Sequence, residues 1–160
     1  MRVLAFDASS TTGWASFASA RSKPVLGSFE IVPKAGDYGT VALDMQGHVL
    51  RLVNEHKPEI VGFEAPVYFP RDKWHTRRLL GCLVVVIELV AAMKGLRCIE
   101  VEPSDVKKAL GGRGADKGQQ IKAAILMGWP VKNDHEADAC GVALGVYGYL
   151  QTQLWRGQYR

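Results

Sequence analysis

The sequence predicts an α/β fold, in which a three-stranded antiparallel meander precedes two parallel strands that alternate with helices. Before residue 33, three short apolar runs are separated by turns that contain glycine or proline. After that point, short apolar runs alternate with longer segments of helical periodicity. This order is typical of a mixed five-stranded sheet flanked by helices. At 160 residues the chain suits one domain, which we expect to span residues 1–160.

The meander is predicted near residues 2–8, 12–18 and 25–32. The alternating helices and strands that follow are expected near residues 41–56, 59–64, 76–94 and 97–101. A short helix capped by Ser104 should end near Leu110, before the glycine-rich break at residues 111–114. Asp116 should cap the next helix, which runs to about Met127. Asn133 or Asp134 should cap the last helix, which continues toward Leu154.

Two of the predicted strands end in a carboxylate. Asp7 closes the apolar run of residues 2–7, and Glu64 closes that of residues 59–64. A carboxylate in such a strand is costly to bury unless it is paired or bound to a metal. Either acid alone is equally well explained as an exposed residue at a strand end. By analogy with open α/β sheets, the two strands would lie side by side and bind a ligand at their carboxyl ends.

The start of the last helix supplies a third group of ligands. His135 and Asp138 are three residues apart and therefore share one helical face. Asp134 and Glu136 are explained by the positive end of the helix dipole, whereas an acid one turn into an otherwise apolar helix is not. Anionic and imidazole ligands that converge from distant elements favour a divalent cation and hence metal-dependent phosphodiester cleavage.

These residues resemble the RuvC-type Holliday junction resolvases of the ribonuclease H-like superfamily. The resemblance consists of Asp7 with the small-residue turn to Gly13, Glu64 at the end of the fourth strand, and the His-x-x-Asp-Ala segment of residues 135–139. It covers nearly the whole chain, and family members carry either Asp or His at the position of His135. Additional aromatic and charged residues after Glu64 indicate a divergent member, of the kind that phages or organelles encode.

The resemblance implies a ribonuclease H-like fold, a homodimer and symmetric nicking of four-way DNA junctions. It also implies dependence on Mg²⁺ or Mn²⁺ and a catalytic, metal-binding tetrad of Asp7, Glu64, His135 and Asp138. Two cations about 4 Å apart would serve the attacking and leaving oxygens. We assign Asp7 as the bridging ligand and His135 as a ligand or as a group that orients the attacking water. An imidazole ligand favours Mn²⁺, so activity should be higher with Mn²⁺ than with Mg²⁺.

Basic residues near these elements are candidates for contacts with DNA phosphates. They form three clusters: Arg71, Lys73, Arg77 and Arg78; Lys107, Lys108 and Arg113; and Lys117 with Lys122. Each cluster is also compatible with an ordinary solvated surface. Aromatic residues lie only within the first cluster, where Phe69 is our first choice and Tyr68 our second for stacking on an unpaired base. Core packing or a dimer contact explains any one aromatic equally well.

Two other functions remain open from sequence alone. The segment from Phe6 to Gly13 also resembles the first phosphate-binding turn of actin-like and sugar-kinase ATPases, although these normally use two domains to enclose a nucleotide. The second alternative is a resolvase-like module that binds branched DNA without cutting it. The apolar segment of residues 79–93 is too rich in apolar residues for a one-sided surface helix, so it should face the core, a second copy or both.

Overall composition adds little to these predictions. The excess of 20 lysine and arginine over 16 acidic residues gives a net charge of +4, which favours a polyanionic partner only if it is clustered. Cys82, Cys98 and Cys140 are scattered in apolar settings, so we expect reduced core thiols rather than a disulfide framework or a zinc cluster. The absence of a signal-like segment or a confident membrane span predicts a cytoplasmic protein with no membrane partner.

Overall fold

The structure, a computed structural model, describes residues 1–32, 36–112 and 114–158. Its sheet has five strands in the order β3-β2-β1-β4-β5. The strands are β1 (Val3–Asp7), β2 (Thr11–Phe17), β3 (Val25–Glu30), β4 (Ile60–Glu64) and β5 (Arg97–Val101). The first three strands pair antiparallel, while β4 pairs in parallel with both β1 and β5. The predicted mixed five-stranded sheet is therefore confirmed.

Five helices flank this sheet among the described residues: α1 (Tyr38–His56), α2 (Trp74–Met93), α3 (Pro103–Ala109), α4 (Lys117–Leu126) and α5 (Asp134–Gln158). Side chains alternate across β1, which separates two buried layers. Leu4 and Phe6 pack with α1 and α2, whereas Val3 and Ala5 pack with α3, α4 and α5. By the same alternation, the side chain of Asp7 belongs on the α5 side of the sheet.

The caps of α1 and α3 differ from the sequence prediction. Helix α1 begins three residues before the predicted Val41, because the side chain of Asp37 accepts a hydrogen bond from Thr40 N at 3.0 Å. Helix α3 is not capped by Ser104, since Pro103 already occupies the first turn and Glu102 is the N-cap. Proline fits the first helical position because its missing N–H would have no intrahelical partner there.

The cap of α4 agrees with the prediction. The side chain of Asp116 accepts a hydrogen bond from Gln119 N at 2.8 Å. In return, Gln119 Oε1 accepts one from Asp116 N at 2.9 Å, which completes a capping box. This cap fixes the start of the helix that carries Lys117.

Helix α2 divides its apolar residues between two faces. One face is buried against the sheet and α1 and includes Leu83, Ile87 and Val90. The opposite face carries Trp74, Val85, Leu89 and Met93, which are all exposed. This division explains why the segment is apolar all round, since only half of it lies in the core. None of the described helices combines the length and apolar character required to span a bilayer.

Candidate active site

Asp7 and Glu64 end neighbouring strands at the same edge of the sheet. Strands β1 and β4 run parallel, and Phe6 pairs with Phe63, so the next residue of each strand is an acid. The side chain of Asp7 is only 16% exposed, and that of Glu64 is partly buried. Strand alternation directs both carboxylates to the α5 side. The predicted convergence of these two acids is thus present in the structure.

The N-terminus of α5 brings the other two candidate residues to this edge. Asn133 caps the helix, because its Oδ1 accepts a hydrogen bond from Glu136 N at 2.9 Å. The buried carboxylate of Glu136 in turn accepts one from Lys132 N at 2.7 Å, which secures the chain before the helix. Both His135 and Asp138 line the same cleft, of about 370 Å³, as Asp7 and Glu64.

His135 and Asp7 are in direct contact. His135 Nδ1 lies 2.8 Å from Asp7 Oδ2, and since a carboxylate accepts hydrogen bonds, Nδ1 carries the proton. This hydrogen bond raises the pKa of His135 above its ordinary value, against the opposing effect of burial. In the neutral ring the lone pair is then on Nε2, which is the nitrogen able to bind a metal or accept a proton.

Burial sets the charge state of the other two carboxyls. Desolvation, followed by the negative charges of Asp7 and Asp138, raises the pKa of Glu64 to about 7. Desolvation, followed by the charge of Asp7, raises the pKa of Asp138 to about 6. Asp138 Oδ1 is buried and has no hydrogen-bond partner among the described residues. A buried acceptor of this kind is costly unless a cation or a donor reaches it.

These residues fit a divalent cation in their chemistry. Three carboxylates and one imidazole offer the hard oxygen and nitrogen donors that Mg²⁺ and Mn²⁺ accept, and the unpartnered Asp138 Oδ1 supplies an oxygen in need of a positive partner. No group of three or more such side chains in the described part of the chain is already gathered closely enough to hold a metal.

Lys117 is the basic residue most directly associated with the cleft. It lines the cleft with the four candidate residues and forms an ion pair with Asp134. That contact raises the pKa of Lys117 and lowers that of Asp134. Lys107 lines an adjoining cleft together with Glu64, Asp138 and Lys117. Both lysines therefore place positive charge beside the carboxylates.

The loop after β4 places Phe69 at the cleft. Phe69 lines the cleft and is 53% exposed, whereas Tyr68 is exposed but is not part of the lining. Asp72 and Arg77 hold the loop in place, since Phe69 N donates to Asp72 Oδ2 and Arg77 donates to Phe69 O, both at 2.7 Å. Arg77 therefore has a role in the loop that the sequence did not indicate.

The other predicted DNA-contacting residues within the described part of the chain do not line this cleft. The guanidinium of Arg78 lies 4.4 Å from the centre of the Tyr38 ring, and Lys108 pairs with Asp105 on α3. Arg71 and Lys73 are exposed in the loop before α2. Arg113 lies outside the described residues. From sequence, Asp134 is explained only as a complement to the helix dipole. Its ion pair with Lys117, which is 17 residues away on another helix, is not predicted.

The sheet order and the flanking helices are those of a ribonuclease H-like fold, and solved structures share this fold. Thermus thermophilus RuvC in complex with a Holliday junction substrate matches with a TM-score of 0.78 and 18% identity over 95% of this chain and 96% of that one. The yeast mitochondrial Holliday junction resolvase Ydc2 matches with a TM-score of 0.64 and 14% identity, over 90% of this chain and 76% of its own. The predicted fold class is confirmed.

Sequence comparison identifies relatives within this class. The crossover junction endodeoxyribonuclease RuvC of Akkermansia muciniphila is 27% identical over 159 residues, which cover 91% of this chain and 89% of that protein. RuvC of Chelativorans sp. (strain BNC1) is 32% identical over 108 residues, which cover 66% of this chain and 62% of that protein. No protein-family model matches the chain. The predicted resemblance is confirmed: the chain is similar to crossover junction endodeoxyribonucleases of the RuvC type.

Proposed function

We propose that this chain is a structure-selective DNA endonuclease that nicks four-way junctions, and further branched DNA, by divalent-metal-dependent phosphodiester hydrolysis. The observation that carries this proposal is the convergence of Asp7, Glu64, His135 and Asp138 on one cleft. Two relatives are named crossover junction endodeoxyribonuclease, and one structural neighbour was solved with a Holliday junction substrate. These names support the same activity for this chain.

We propose Asp7, Glu64, His135 and Asp138 as the catalytic and metal-binding residues. These residues would hold two divalent cations per site. Such cations would neutralise the carboxylates, lower the pKa of a bound water and stabilise the leaving oxygen. Asp7 orients the His135 ring by accepting its Nδ1 proton, which leaves Nε2 as the atom to act as a ligand or to accept a proton from the attacking water. Burial raises the pKa of Glu64 to about 7 and that of Asp138 to about 6, so a bound cation would compete with protons at these two carboxyls.

The surroundings of the cleft suit a branched polyanion. Lys107 and Lys117 lie beside the carboxylates, where they can hold the phosphates that flank the scissile bond. Phe69 is exposed at the rim, where its ring can stack on a base that has lost its pairing partner at a branch point. A continuous duplex offers no such unpaired base. Selectivity for branched DNA follows from this difference.

We further propose that two copies of the chain associate through α2. The exposed residues Trp74, Val85, Leu89 and Met93 lie within about 100° of one another around the helix, so they form a single apolar stripe. A stripe of this kind on a monomer would be left in water. Two copies related by a two-fold axis would bury it and present two active sites to a junction of matching symmetry. Lysine in place of Leu89 should shift the dimer to a monomer in sedimentation velocity.

The single domain predicted for residues 1–160 remains part of this proposal, supported by one sheet that carries buried layers on both faces.

The nucleotide-binding alternative is not favoured by the turn after β1. There, Ser9 Oγ donates to Thr11 O at 2.6 Å and Thr12 Oγ1 donates to Ser9 O at 2.7 Å. Both hydroxyls are therefore engaged with the backbone of the turn rather than presented to a phosphate.

The activity is tested on an immobile four-way DNA junction beside a linear duplex of the same sequence, with Mg²⁺, Mn²⁺ or a chelator. We expect paired nicks in opposing strands of the junction, no nicks in the duplex and no cleavage in chelator. Cleavage of the duplex at a comparable rate would contradict the selectivity. An intact junction in every metal would contradict the nuclease activity itself.

Asp7→Asn separates a nuclease from a module that only binds. The amide keeps the size of the carboxylate but removes its charge, so the variant should bind the junction as tightly as the wild type and fail to cut it. Asp44→Asn, on the exposed surface of α1 at the other face of the sheet, is the matched control and should cut normally. Junction binding without cleavage by the wild type would favour the binding module.

A further inference from the structure

Gly13 lies directly beneath the start of α5. A Cβ atom added at Gly13 would lie 2.0 Å from His135 O, 2.3 Å from His135 C and 3.0 Å from Glu136 N. All three neighbours are backbone atoms of the first turn of α5. A change of side-chain rotamer therefore could not relieve the overlap, and the helix itself would have to move.

The position of Gly13 in the sheet relates this contact to the active site. Gly13 pairs with Asp7 of β1 on one side and with Ser28 of β3 on the other. The three residues form one row across the sheet, with neighbouring strands about 4.8 Å apart. The first turn of α5 crosses this row, because Asn133 Nδ2 donates to Ser28 Oγ at 3.3 Å and His135 Nδ1 contacts Asp7 at 2.8 Å. Gly13 lies in the middle, under the backbone of His135.

We infer that Gly13 is a positioning residue for the proposed nuclease reaction, because the absence of its side chain lets α5 approach the sheet closely enough for His135 and Asp138 to meet Asp7 and Glu64. The inference rests on the proposed function. Gly13 touches neither substrate nor metal in this account and acts only through the placement of His135.

The size of the effect follows from the contact distance. For an ordinary contact, the distance from the added Cβ to His135 O must grow from 2.0 Å to at least 3.4 Å, a displacement of about 1.4 Å. A comparable displacement of the His135 ring would end its 2.8 Å hydrogen bond to Asp7. Misplacement of a catalytic group by about 1 Å can cost about 100-fold in rate. We therefore expect Gly13→Ala to cleave junctions about 100-fold more slowly than the wild type.

Gly145 provides a matched control on the same helix. A Cβ at Gly145 would lie 2.5 Å from Val101 Cγ1, so Gly145→Ala also crowds α5 against the sheet. That contact is with a side chain, and it lies about three helical turns from His135. Gly145→Ala should lower the melting temperature by several degrees through overpacking, yet leave the cleavage rate within about threefold of wild type.

The test compares wild type, Gly13→Ala and Gly145→Ala in three measurements: single-turnover junction cleavage, junction binding by fluorescence anisotropy in chelator, and Mn²⁺ binding by calorimetry without DNA. For Gly13→Ala we expect the loss in cleavage to exceed that of Gly145→Ala by at least about tenfold. Its junction affinity should stay within about threefold of wild type, while Mn²⁺ binds at least about tenfold more weakly.

Two outcomes would overturn the inference. One is a cleavage deficit in Gly13→Ala that exceeds that of Gly145→Ala by less than about tenfold. The other is a Gly13→Ala protein that loses cooperative melting and junction binding together with cleavage, since Gly13 would then be an ordinary packing residue. If the wild type cuts no junction, the proposed function fails instead, and Mn²⁺ binding by the variants still decides whether Gly13 positions the site.

Discussion

Replacing Glu64 with glutamine should stabilise the metal-free protein while it abolishes cleavage. Burial and the charges of Asp7 and Asp138 raise the pKa of Glu64 from 4.5 to about 7. The folded protein therefore holds this proton more tightly than the unfolded chain, so stability is greatest at low pH and falls as the pH rises from about 4.5 to about 7. At about 1.4 kcal/mol for each tenfold change in proton affinity, the ionised carboxylate costs up to about 3 kcal/mol above pH 7.

Urea unfolding in chelator, at about pH 8 and about pH 5, measures this cost. At the higher pH, Glu64→Gln should have a free energy of unfolding up to about 3 kcal/mol above that of wild type, and the difference should shrink at the lower pH. Glu100→Gln, on the exposed side of β5, is the control and should change stability by less than about 0.5 kcal/mol. Adding Mg²⁺ should stabilise wild type more than Glu64→Gln. A Glu64→Gln protein no more stable than wild type at the higher pH would refute the reasoning.

Three further outcomes are expected. Asn133→Ala removes the cap of α5 and should lower the free energy of unfolding by about 1 kcal/mol in urea titrations, whereas an unchanged value would show that the cap contributes nothing. Phe69→Ala should weaken junction binding by about 1–3 kcal/mol in anisotropy titrations. A loss of this size from Tyr68→Ala, with none from Phe69→Ala, would assign the stacking to Tyr68 instead. At saturating metal, Mn²⁺ should support faster cleavage than Mg²⁺, and equal or faster rates in Mg²⁺ would count against direct ligation by His135.

The fold and the acidic edge were predictable because their signals are local. Short apolar runs that end in Asp7 and Glu64 mark strands, and a parallel pair of strands brings their ends together without further information. His135 and Asp138 were predictable because three-residue spacing places them on one helical face. The capping box of α4 is likewise written in adjacent residues. Each of these features depends on a few neighbouring positions.

The features that escaped prediction depend on distant residues. The ion pair between Lys117 and Asp134 joins two helices, and nothing in either segment indicates the other. The division of α2 into a buried and an exposed face requires knowledge of where α1 lies. The close approach of α5 to Gly13 is a property of packing, although a glycine within a strand is a local sign of such an approach. The start of α1 could have been found from Asp37, a good cap ahead of Val41.

The most direct test of the account compares the single-turnover cleavage of a four-way junction by wild type, Asp7→Asn, Glu64→Gln, His135→Ala and Asp138→Asn, at enzyme concentrations that saturate binding. Wild type should make paired nicks, and each substitution should lower the rate by about 100-fold or more while junction affinity is preserved. A variant that cuts at the wild-type rate would remove that residue from the site. Wild-type rates in all four variants would contradict the assignment of this cleft as the nuclease centre.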